Sequence, residues 1–174
     1  MKKVLVGIVI GSDSDLEIMK DATKILDELG VENEIMILSA HRVPNETLSY
    51  AKSARGRGIK VLIGGAGGAA ALPGVLASLT ILPVIGVPIK TKTMEGLDSL
   101  LSICQMPPGV PVATVGINSA KNAGILATKI IAVSDGKVAK NLDKFMQKMK
   151  KEVLSKNSNL KKLGWAKYIN KMNK

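Results

Sequence analysis

Three short stretches of this sequence carry side chains of the kinds that bind anions and move protons. Ser39-Ala40-His41-Arg42-Val43-Pro44 holds the only histidine of the chain, next to an arginine. An imidazole titrates near neutrality and can both give and take a proton. The neighbouring guanidinium offers a planar fork suited to phosphate or carboxylate. Gly11-Ser12-Asp13-Ser14-Asp15 brings two hydroxyls and two carboxylates to the head of an amphipathic stretch. A helix start exposes unpaired amides and a partial positive charge that favour a phosphate, and Gly11 lets the backbone approach closely. Asp15 would repel a phosphate and is better suited to accept from ribose hydroxyls or an amine. Plain helix capping by Ser12 or Asp13 is the alternative role. The third stretch, Gly64-Gly65-Ala66-Gly67-Gly68-Ala69-Ala70-Ala71-Leu72-Pro73-Gly74, leaves few side chains to fill space. Its backbone amides become the functional groups, in an anion-binding concavity with room for a flat ring.

Other chemistries fit less well. No Walker loop or Gly-x-Gly-x-x-Gly fingerprint is present, so neither a nucleoside triphosphate nor a dinucleotide is indicated. One histidine and one cysteine, far apart, make no metal ligand set, and no cofactor is expected. Cys104 falls in an apolar helical stretch, where a packed core residue is expected rather than a nucleophile.

The elements that must position these stretches follow from periodicity. Val4 to Ile10 is a nearly unbroken apolar run, read as a strand buried on both faces rather than as a leader segment. Leu16, Met19, Ala22, Ile25, Leu26 and Leu29 recur at helical steps, and Gly30 ends the helix. Strands are predicted at Ile35–Leu38, Lys60–Ile63, Pro83–Val87 and Val112–Val115. Helices are predicted from Pro44 towards Gly56 or Gly58, and over Pro73–Leu79, Glu95–Ile103, Ala120–Val133 and about Lys137–Leu154. Strict alternation with short links implies a parallel sheet covered by helices on both faces. Five strands are too few for an eightfold barrel, so the expected fold is an α/β, flavodoxin-like three-layer sandwich with an extended C-terminal helical tail. Ligands in such sheets sit outside the carboxyl ends of the strands, where strand order reverses. The loops after the first four strands should therefore carry the chemistry.

The 174 residues, 46% hydrophobic, suffice for one domain. No apolar run approaches the roughly 20 residues of a membrane span, and the single cysteine fits a reducing cytoplasm. The net charge of +11 is concentrated at one end. From Gly136 onward 12 lysines face only Asp143 and Glu152, while the preceding body is nearly neutral. The tail contains few aromatics for base stacking, so a solvated lysine-rich helix is expected there, with neither nucleic acid nor membrane as partner. A flavin is also disfavoured, because Tyr50 is the only aromatic among the first 135 residues. A receiver domain would need an acidic cluster after the third strand, where Gly64-Gly65-Ala66 stands.

Taken together, the loops resemble the PurE family, the N5-carboxyaminoimidazole ribonucleotide mutases of purine synthesis. The similarity lies in the three stretches above and in four further segments. These are Pro83 to Pro88, Gly96 to Ile103, Gln105 to Val115 and Lys121-Asn122-Ala123. It spans about residues 4–155, which sets an expected domain of 1–155 and a basic tail of 156–174. The resemblance implies a metal-free, ATP-free carboxyl shift on a small ribonucleotide. It implies that His41 is the acid/base. It also implies that Ser12, Asp15, Ser39 and Arg42 bind the substrate, together with Gly67, Gly68, Ala69, Ala70 and Leu72. A homo-octamer whose C-terminal helices reach onto neighbouring subunits is implied as well.

The sequence departs from the family at one position of this site. Where the family's loop reads Gly-Gly-Ala-Ala-His-Leu-Pro-Gly, Ala71 stands in place of a second active-site histidine. A methyl group can neither hydrogen-bond a ligand nor share a proton. Three outcomes stay open: a mutase that dispenses with this histidine, a carboxylase using free carbon dioxide, or a weakened nucleotide binder. The persistence of His41, Ser12, Asp15 and Arg42 favours the first.

Overall fold

The computed structural model describes residues 3–172. Five parallel strands form one sheet: β1 Val6–Ile10, β2 Asn33–Ile37, β3 Val61–Gly67, β4 Val84–Ile89 and β5 Ala113–Thr114. Their order is β2-β1-β3-β4-β5, so the direction of winding reverses between β1 and β3. This is the expected flavodoxin-like sandwich. Helices α1 (Leu16–Glu28) and α5 (Ala120–Ala132) cover one face, and α2 (Pro44–Arg57), α3 (Leu72–Leu79) and α4 (Leu97–Cys104) the other. Side chains along β1 alternate between the two cores. Val6, Ile8 and Ile10 face Met19, Ile25, Leu26 and Ala127, whereas Val9 faces Tyr50, Ala54 and Leu76. All five β1 residues are buried, as the continuous apolar run demands.

Several boundaries differ from expectation. β3 continues through Gly64, Gly65, Ala66 and Gly67, pairing as far as Gly67 opposite Ile89 of β4. The first four of the eleven residues from Gly64 to Gly74 are therefore strand, not loop. Missing side chains make room for neighbours there: a Cβ on Gly65 would sit 2.6 Å from the Met19 sulfur, and one on Gly64 3.2 Å from Pro73 Cα. β4 likewise runs two residues beyond Val87, and β5 keeps only the central pair of its predicted span. α4 begins at Leu97 because Glu95 and Gly96 take positive φ values of 55° and 92°. Cys104, expected in the core, is exposed at the end of α4. That short helix buries only Ser99 and Ile103, which puts Cys104 on its outer side.

The lysine-rich helix α6 spans Gly136–Leu163, nine residues further than predicted, and α7 follows at Trp165–Met172. Asp135 caps α6 by accepting from the amides of Lys137 (2.9 Å) and Val138 (3.1 Å). Val138 and Leu142 pack on the α1/α5 face, and Asn141 Nδ2 donates to the Leu29 carbonyl at 3.0 Å. Beyond Leu142 no described residue is buried. No helix among the described residues is long and apolar enough to cross a membrane.

Candidate active site

The loops after β1, β2, β3 and β4 meet at the carboxyl edge of the sheet, beside the reversal point between β1 and β3. They enclose a cleft of about 480 Å³. β1 delivers Gly11, Ser12, Ser14 and Asp15 to it; the β2–α2 loop delivers Ser39, Ala40, His41 and Arg42. The end of β3 and the start of α3 supply Gly67, Ala70, Ala71 and Leu72.

The first loop closes on itself before α1. Ser12, in extended conformation, caps a 3-10 turn over Asp13–Asp15 and receives the Ser14 amide at 3.4 Å. Its own hydroxyl points its proton to Asp13 at 3.0 Å. The capping role weighed for this segment is thus present, in the same residues that line the cleft. Asp15 lies half-buried in the cleft wall. Burial raises its carboxyl above the usual aspartate range, against the opposing effect of the Ser12 and Gly11 backbone, the Ser14 hydroxyl and the Arg42 charge.

The second loop folds over the first. The Arg42 amide donates to Ser39, to its carbonyl at 3.2 Å and its hydroxyl at 3.3 Å. The Arg42 guanidinium donates to the Gly11 carbonyl, tying the two loops together. A planar fork anchored at one nitrogen keeps its remaining donors in a fixed direction. His41 is exposed and lines the same cleft as Ser12, not the packed interior.

The third loop is backbone. Gly68 and Ala70 have positive φ values of 67° and 40°, and the Ala70 amide returns to the Gly67 carbonyl at 3.3 Å. α3 then starts at Leu72 with Ala71 as a cap lacking any side-chain bond, so the amides of its first turn have no helical acceptor. Gly67, Ala70 and Leu72 line the cleft; Gly68 and Ala69 do not. The Gly68 amide is already engaged by the Ser99 hydroxyl at 3.0 Å. Ala71 lines the cleft with only a methyl group.

Three lining residues, Ile89, Lys90 and Thr91, were not singled out from the sequence. Lys90 and Thr91 follow β4, and only the strand's unexpected extension to Ile89 carries them to the cleft. The Lys90 ammonium pairs with Glu95, and its amide donates to Asn118 Oδ1 at 2.8 Å. Thr91 donates to the Asp98 carboxylate at 3.0 Å. Among the described residues no group of three or more His, Cys, Asp or Glu side chains could hold a metal ion.

The family model described as AIR carboxylase matches residues 5–152. The chain belongs to this family, PurE. It is 57% identical to the N5-carboxyaminoimidazole ribonucleotide mutase of Thermotoga maritima, over 95% of this chain and 96% of that protein. It is 55% identical to the phosphoribosylaminoimidazole carboxylase of Schizosaccharomyces pombe over 94% of this chain, which spans only 30% of that longer protein. The crystal structure of Treponema denticola PurE superposes with a TM-score of 0.84 at 28% identity, covering 90% of this chain and 98% of that one.

Proposed function

We propose that this PurE-family chain is an N5-carboxyaminoimidazole ribonucleotide mutase of IMP synthesis. It moves a carboxyl group from the exocyclic nitrogen of the substrate to carbon four of the imidazole ring. The observation that carries this reading is the convergence of His41, Arg42, Ser12 and Asp15 on one cleft, in a chain so similar to mutases along nearly its whole length.

Arg42 offers donors to the phosphate, as does Ser12 once its hydroxyl turns from Asp13, the amides before α1 add their partial charge, and Asp15 accepts from ribose hydroxyls. Ser39 supports Arg42 through the bonds described above. His41 gives a proton to the nitrogen as its bond to the carboxyl carbon breaks and carbon dioxide is released. Carbon four then bonds to that carbon dioxide, and His41 recovers the proton displaced from carbon four. One carbon–nitrogen bond is exchanged for one carbon–carbon bond, so neither oxidant nor ATP is consumed. Backbone amides at the start of α3 are the preorganised donors for the migrating carboxylate, in a wall built from Gly67, Ala70 and Leu72, with Gly68 and Ala69 shaping the loop.

Activity is tested with purified protein and N5-carboxyaminoimidazole ribonucleotide, without ATP or added metal. Product formation is expected, falling by roughly 10²- to 10⁴-fold in His41→Asn. Equal rates in the variant would remove His41 from the mechanism. The similarity to the fungal carboxylase favours a second reading, in which aminoimidazole ribonucleotide and free carbon dioxide are the substrates. Turnover only with that pair would establish it instead.

The proposal includes a catalytic domain of 1–155, a basic tail of 156–174, a homo-octamer and a cytoplasmic location. Exposed apolar residues along the C-terminal helices support an assembly: Val153 and Trp165 are 65% and 74% exposed. The single, unpaired cysteine fits a reducing compartment.

A further inference from the structure

Ser99 lies in the first turn of α4 and is 0% exposed. Its hydroxyl serves two partners at once. It donates to the Ile89 carbonyl at 2.7 Å, at the end of β4, and accepts the Gly68 amide at 3.0 Å. One turn further along α4 the Ser102 hydroxyl donates to the Gly68 carbonyl at 3.4 Å. Both polar groups of one loop residue are therefore held by one helix. Asp98, next to Ser99, takes the Thr91 hydroxyl and so fixes the loop after β4 as well.

None of these α4 residues lines the cleft, and neither does Gly68, but Ile89 and Thr91, which they also hold, do. Two residues beyond Gly68, Ala70 has φ 40°, a conformation that costs an alanine energy and persists only where its surroundings over-determine it. Ala70, Ala71 and Leu72 form the cleft wall that ends in the uncapped start of α3. A hydroxyl is the smallest group that can donate and accept together, and alanine in its place would leave a half-buried amide and a buried carbonyl unpaired.

We infer that Ser99 is a positioning residue: by joining Gly68 to Ile89 it holds the β3–α3 loop in the strained form that faces the cleft. Its effect on turnover rests on the ribonucleotide reading above; its effect on the loop does not. The amides of Ala70 and Val75 report the loop without touching Ser99, because they bond to the carbonyls of Gly67 and Ala71. Hydrogen exchange of these two amides, followed by NMR in the full chain without ligand, should quicken about tenfold in Ser99→Ala. In the mutase assay kcat should fall by about ten- to a hundredfold while KM moves less than about threefold. Thr128 provides the comparison, a buried hydroxyl that donates to the Gly124 carbonyl at 2.8 Å within α5. Thr128→Ala should lower the melting temperature and leave kcat and the two loop amides unchanged. Unaltered exchange at Ala70 and Val75 in Ser99→Ala, or an equal kcat loss in Thr128→Ala, would overturn the assignment. An inactive wild type would sink the ribonucleotide reading alone, since exchange still decides the positioning role. Should Ser99→Ala not fold, the exposed Ser102→Ala decides: quickened exchange supports the clamp and unchanged exchange rejects it.

Discussion

Ala71 is the residue at which this loop departs from the one the resemblance implies. It sits half-buried at the head of α3 with helical φ and ψ of −68° and −22°, and it faces an open cleft. A larger side chain meets no backbone obstacle in that conformation. Ala71→His should therefore fold normally and raise kcat by about tenfold, the worth of one added hydrogen bond in the transition state. An unchanged rate would mean that the reaction here is complete without a second imidazole. Asp15 offers a different trade. Its carboxyl is held above the usual range, so the folded chain binds this proton more tightly than the unfolded one. Stability associated with it is present in acid and is lost as pH rises through the aspartate range to the raised value. Asp15→Asn should flatten that loss in melting curves from acid to neutral pH. The same variant should weaken ribonucleotide binding, measured by calorimetry. A steeper pH dependence in the variant would show that Asp15 is stabilised rather than strained.

At the level of elements, the periodicity of Leu16 to Leu29 and the turn chemistry at Pro44 located α1 and α2 nearly residue by residue. The edge rule for parallel sheets then put His41, Arg42 and Ser12 together without any coordinates. What could not be read was where glycine belongs to a strand. Glycine adds no side-chain packing and ordinarily weakens a strand, so Gly64 to Gly67 read as a loop. Only the close approach of Met19 and Pro73 from the two faces explains its place in β3. Lys90 and Thr91 were missed for a related reason, since Pro88 lies within β4 although its sequence suggests an ending. Ser99 falls in the family-like segment Gly96 to Ile103, but its buried role gave no signal, because a serine in a helical pattern reads as surface. The α1–α5 crossing provides the test at this scale. A Cβ on Gly124 would lie 2.4 Å from Ile25 Cγ2 and 3.0 Å from the Ala22 carbonyl oxygen. Side-chain rotation can relieve the first contact but not the second. Gly124→Ala should lower unfolding free energy by about 1–3 kcal/mol in urea, as overpacking does. No loss would show that the two helices can separate freely.

For the molecule as a whole, the sequence located the basic helix but not its end, because a polar helix in solvent has no buried stripe to mark its length. Apolar side chains beyond Leu142, among them Val153, Leu154, Leu160 and Trp165, stay exposed in the single chain. A chain ending at residue 155 should retain the fold of the body and assemble less completely, as read by analytical ultracentrifugation. Unaltered mass would remove the last helices from the assembly. α6 has a further consequence. Its 28 residues make a rod about 42 Å long. Only its first turns rest on the sheet-and-helix body. A solitary copy is therefore a bead with a mast, and its friction in water exceeds that of a sphere of equal mass. Dilution that released single copies would announce itself in small-angle scattering as a longer maximum dimension relative to mass, before any change in secondary structure.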